Sequence, residues 1–208
     1  MDKNKIWNVA GAFTGVIFVV LIVIGASIGG DRIEPTDAPS DIARALMDRG
    51  DVARLGSVIS LVGILFFFPF LAYLRNRLRK AEGEDGWLTS TAYGGGLVTV
   101  AMLLVVETLN LASLSISAGV DPVVAQVLVV LSRRFFWVLA PPLIAFTLGS
   151  SLAIVRYSAL PRWLGWVGFV VSLTLLAPWI GILFAMPWIL LVSLTLTYQA
   201  WNRQAATS

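Results

Sequence analysis

The chain contains neither cysteine nor histidine. Their absence removes disulfides, thiolate nucleophiles, haem axial histidines and nearly every zinc or non-haem iron site, so neither a metal nor a cofactor is expected. Charge is scarce too. Of 208 residues only 13% are Asp, Glu, Lys or Arg, against about a quarter in soluble domains. The net charge of +3 is too small to point to a nucleic-acid partner. What remains is apolar: 58% of the residues are hydrophobic and the mean hydropathy is +0.85. These residues come in long blocks between short charged clusters, the pattern left by bilayer spans of about 20 residues. The expected fold is all-α, a polytopic transmembrane helix bundle forming one domain over 1–208, with the lipid bilayer as its first partner.

Six spans are expected, over about 8–29, 55–74, 91–112, 134–155, 163–179 and 182–201. The first follows Lys3 and Lys5; a cleaved signal peptide would fit its basic start, but its apolar block is longer than the usual 7 to 15 residues. Gly11 with Gly15, and Gly25 with Gly29, give small-xxx-small spacings that let a second helix approach. Residues 31–54 hold Pro35 and Pro39 and then Ser40 and Asp41 before Ile42 and Leu46, which predicts an outer amphipathic helix on the membrane surface.

Pro69 in the second span and the adjacent Pro141 and Pro142 in the fourth each remove a backbone donor and predict kinks. Gly94, Gly95 and Gly96 open the third span and permit close packing; no strand precedes them, so they are no phosphate loop. Asp121 with Pro122 predicts a helix start, and the apolar run over 123–155 is divided into an outer extension followed by a span. The turn between the last two spans is expected between residues 178 and 187, with Gly181 favouring 179–181; five spans and a re-entrant hairpin are the weaker alternative. Trp163, Trp166, Trp179, Trp188 and Trp201 are expected in aromatic belts at the two interfaces.

Arg75, Arg77, Arg79 and Lys80 follow the second span and mark its end as cytoplasmic under the positive-inside rule, so both termini are expected in the cytoplasm. This orientation puts Glu107, the acidic residue within an apolar span, near the outer end of the third helix, with Asn110 on the same face. Arg133 and Arg134 open the fourth span at the same boundary. One of them is expected to pair with Glu107, because an unpaired charge in a bilayer costs several kcal/mol.

The segment Ser158-Ala159-Leu160-Pro161-Arg162-Trp163-Leu164-Gly165-Trp166, after a helix ending Leu152-Ala153-Ile154-Val155-Arg156, resembles the signature of a bacterial family of six-span integral membrane proteins defined only as a domain of unknown function. The resemblance implies a bacterial plasma (inner) membrane location and six helices, and implies no activity.

Enzyme chemistry is not expected. The apolar spans offer no carboxylate pair, no base for a serine nucleophile and no metal cluster, and their lack of lysine excludes a retinal Schiff base. Two functions remain. In the first, Glu107, Asn110, Arg133, Arg134 and Trp137 line an outward-facing cavity between the third and fourth spans that binds or transports a small ligand, anionic or lipid-like. In the second, the Glu/Arg pair is structural and the protein is an assembly subunit, joined to a membrane partner or to copies of itself.

Overall fold

The computed structural model describes residues 3–28, 38–83, 86–116 and 122–205. Gly29, Pro35 and Asp121, used in the expectations above, lie outside them. The described residues form six α-helices: α1 Lys3–Ile28, α2 Pro39–Glu82, α3 Trp87–Ile116, α4 Pro122–Tyr157, α5 Arg162–Thr174 and α6 Pro178–Ala205. Five of them, all but α5, are long and apolar enough to cross a membrane. The chain is therefore an all-α bundle of the multi-pass membrane type.

Successive helices pack side by side, α1 closes the ring against α6, and α4 also touches α2 and α6. A run of rings crosses the middle. Phe18 of α1 stacks on Phe67 of α2 at 4.2 Å, Phe67 meets Phe146 of α4 edge-on at 5.7 Å, and Phe146 meets Trp188 of α6 edge-on at 5.9 Å. Such contacts add about 0.5–1.5 kcal/mol each beyond burial.

Lipid is as apolar as a protein core, so helices in a bilayer associate through close backbone approach and polar contacts rather than by hiding oil from water. The glycines supply the approach. A Cβ on Gly95 would stand 2.6 Å from the Phe146 nitrogen and the Pro142 carbonyl oxygen, and one on Gly149 would stand 3.0 Å from the Ala92 nitrogen. Ala145 and Gly149 thus lie on the packed face of α4, and Ala153 is buried one turn further on. Gly94, by contrast, has nothing within 4 Å. Polar contacts join other pairs: Ser193 Oγ donates to the Ala12 carbonyl at 2.6 Å, and Arg77 Nη2 donates to Gln199 Oε1 at 2.8 Å.

Four features differ from the sequence expectation. Residues 39–54 are not a separate surface helix but the first turns of the 44-residue α2. Ile42 and Leu46 find an apolar partner within the protein, packing with Leu114, Ala125 and Val129, so the segment continues along its neighbours instead of lying down on lipid. For the same reason the run over 123–155 is undivided: α4 continues through its outer residues and through Pro141 and Pro142, just as α2 continues through Pro69.

The last turn falls earlier than expected, at residues 175–177, and Pro178 opens α6 where its missing N–H costs nothing. Gly181 is the helical residue that packs on the Leu175 backbone. Finally, Trp188 is not an interfacial residue. It is 1% exposed, and its Nε1 donates to the Leu164 carbonyl at 3.0 Å, which ties α6 to α5. Trp163, Trp166, Trp179 and Trp201 are exposed, as belt residues would be.

Candidate functional site

The height of each charged residue follows from helix register. Arg75 of α2 lies over the Tyr93 ring of α3 at 4.9 Å, and a Cβ on Gly96 would touch Leu71. Following the antiparallel pair away from this basic end brings Ser60 and Ser57 of α2 opposite Glu107 of α3. Between α3 and α4, the contacts of Gly95 with Ala145 and Phe146 and of Gly149 with Ala92 put Glu107 level with Arg134. This level lies about 18 Å along α3 from Gly95.

Height and direction part company here. The groups that reach the Glu107 carboxyl are Ser57, Asn110 and Ser60; neither Arg133 nor Arg134 is among them. Both serines are buried. The expected Glu107–arginine pair is therefore replaced by a carboxyl set among hydroxyls and an amide between α2 and α3. The cause is azimuth: residue 107 lies on the α2 side of α3, and four residues of helix turn more than a full circle, so an equal height fixes no contact. Arg134 is exposed, as is Trp137 one turn along α4 at 53%. Arg133 is half-buried and engaged by a neighbour.

The cluster is incompletely satisfied. Glu107 Oε2 is buried with no hydrogen-bond partner, although two hydroxyls and an amide converge on the same carboxyl. Most hydroxyls in these helices return a bond to their own backbone, as Thr99 does to Gly95 at 2.8 Å and Thr147 to Leu143 at 2.9 Å. A carboxylate cannot do this, since it only accepts.

Gly25 of α1 completes the wall. A Cβ there would collide with Ser60 Oγ and stand 2.6 Å from the Gly56 carbonyl oxygen, so the missing side chain is what lets α1 lie against the oxygen-rich stretch of α2. The sequence expectation missed Ser57 and Ser60. Their signal is present: Gly56, Ser60 and Gly63 are small residues at helical spacing, and Ser57 lies one turn from Ser60.

A second polar region lies at the basic end. A cavity of about 10 Å³, room for roughly one water, is bounded by Arg75, Tyr93, Thr89 and Ser150 among others, and the hydroxyls of Thr89 and Ser150 have no partner. Beside it, Glu82 at the end of α2 accepts from the backbone nitrogens of Leu88 and Thr89 at 2.9 and 2.8 Å, capping the start of α3. No group of three or more His, Cys, Asp or Glu able to hold a metal occurs among the described residues. Comparison with protein-family models, with curated proteins and with solved structures finds no match to this chain.

Proposed function

We propose that the chain is a bacterial inner-membrane protein with six crossings and both termini cytoplasmic. It binds or transports a small ligand at the outer ends of α2, α3 and α4 and catalyses no reaction. The observation that carries the ligand site is Glu107 Oε2, buried in a membrane-type helix without a partner. A carboxylate held in that way is costly unless a ligand or ion completes it. Arg134 and Trp137, exposed at the same level, are the groups suited to an anionic or lipid-like ligand.

Six crossings agree with the packing of α5. Its 13 residues rise about 20 Å, short of a hydrocarbon core of about 30 Å. The following turn carries the chain on to Trp179, which stacks on Phe136 of α4 at 5.2 Å, a short way from Arg133 and Arg134. The Arg75, Arg77, Arg79 and Lys80 cluster supports a cytoplasmic position for the other end under the positive-inside rule.

Native mass spectrometry of the gently solubilised protein tests the ligand. A bound small molecule or lipid that is lost in Glu107→Gln or Arg134→Ala, with helicity unchanged, supports the reading. A folded protein that carries nothing, or whose bound species ignores both substitutions, overturns it.

One observation favours the assembly reading. On the outer part of α4, Val123, Val124, Val127 and Leu131 are all exposed, beyond the level of Arg134 where a bilayer would cover them least. An apolar strip of that kind marks a contact with another protein. The subunit count from the same mass spectrum reads this directly.

A further inference from the structure

The Glu107 cluster is built from one chemical type of group. Ser57 and Ser60 of α2 are buried at the level of Glu107, whose Oε2 is buried without a partner, and Asn110 stands one turn along α3; Ser60 Oγ and the Gly56 carbonyl oxygen both come up where α1 has no Cβ at Gly25. All are hard oxygen donors. No thiol or imidazole exists anywhere in the chain, and soft or borderline metals favour those ligands.

From these groups we infer that the Glu107 cluster between α2 and α3 is a site for a monovalent alkali cation. The inference rests on the ligand-binding reading above and names an ion that the same region holds.

Charge decides the valence. One carboxylate neutralises one positive charge, and a neutral complex is the least costly to keep out of water. Calcium takes six to eight oxygens, commonly from several carboxylates, and magnesium keeps waters in a strict octahedron; a lone carboxylate would leave either with an excess charge, level with the cationic Arg134. Geometry supports the same assignment. The serine hydroxyls rotate, so each can donate to the carboxylate when the ion is absent and turn a lone pair to the ion when it is present.

The test uses the full chain in nanodiscs, with thermal unfolding followed by tryptophan fluorescence while choline chloride is replaced by lithium, sodium or potassium chloride at constant ionic strength. A ligand that binds only the folded state raises the transition as its concentration passes its dissociation constant. The expected result is a saturable rise with sodium that is absent in Glu107→Gln and retained in Arg134→Ala. Ser60→Ala keeps the carboxylate and removes one donor; it is expected to raise the half-saturating concentration about tenfold, equivalent to about 1.4 kcal/mol, and it serves should Glu107→Gln not fold.

Equal transitions in choline and every alkali chloride overturn the site, as does a rise that survives both Glu107→Gln and Ser60→Ala. Stronger stabilisation by calcium or magnesium overturns the monovalent assignment. A protein that keeps a co-purified small molecule but shows no ion dependence loses the ion site alone. One that responds to sodium through Glu107 but carries no other ligand keeps the ion site and loses the wider reading.

Discussion

Gly25 and Ser60 touch across the α1–α2 contact, with the serine oxygen occupying the space a Cβ on the glycine would need. The contact couples the packing of α1 to the polar cluster around Glu107, to which Ser60 belongs. Gly25→Ala must displace the hydroxyl, the Gly56 carbonyl or α1 itself. Overpacking of this kind costs about 1–3 kcal/mol. The expected outcome is a lower unfolding transition together with a weaker sodium response, measured in the same titration.

Adjacent glycines in α3 should respond in opposite directions. Gly94 has open space around its Cα, while Gly95 lies against the α4 backbone. Gly94→Ala is expected to stabilise the protein by about 0.4–1 kcal/mol by restricting the unfolded chain. Gly95→Ala is expected to destabilise it by about 1–3 kcal/mol by prising α3 from α4. Chemical denaturation in mixed micelles separates the two signs.

Trp188 fills the centre of the bundle and holds the Leu164 carbonyl. Trp188→Phe keeps much of the volume and removes the donor, at an expected cost of about 0.5–1.5 kcal/mol for the hydrogen bond lost to a carbonyl that keeps its place in the α5 ladder. Trp188→Ala should cost about 3–5 kcal/mol. Trp166→Phe, at an exposed site, should leave the transition where it is in a thermal melt.

Glu82 joins the end of α2 to the start of α3, across a connection in which Gly83 adopts φ 88°. Glu82→Ala removes the acceptor of two backbone donors, and losing a helix cap costs about 0.5–2 kcal/mol. Hydrogen exchange should accelerate at the Leu88 and Thr89 amides while amides near Phe146 stay protected. Unchanged exchange at both positions would show that the cap holds nothing in place.

The apolar strip on the outer part of α4 supplies a final check. Val127 is 57% exposed, so Val127→Asp should leave the fold intact. If copies of the chain meet along this strip, the substitution lowers the subunit count in mass photometry; an unchanged count removes the strip as a self-contact.

Most of the helices could be read before any tertiary information. The apolar blocks give the long ones, and the spaced glycines of α1 announce a close partner. Even the height of the charged residues was legible, because counting residues along two antiparallel helices brings Glu107 to the level of Arg134. The failures share a different cause. Residues 39–54 looked amphipathic because they are, yet Leu114, Ala125 and Val129, distant in sequence, supply the surface that Ile42 and Leu46 cover. Pro178 and Gly181 both looked like turn residues, and only the packing of α6 on Leu175 shows that one starts the helix and the other lies inside it.

The sequence by itself determined that this chain is a set of membrane-type helices without thiol or imidazole side chains, because composition alone decides both. Tertiary structure decided azimuth: that Glu107 turns to Ser57 and Ser60 rather than to an arginine, and that Trp188 turns inward. A helix apolar all round carries no stripe to say which side is the core, since lipid and protein interior are equally apolar. Only the neighbouring helices settle which way each side chain points.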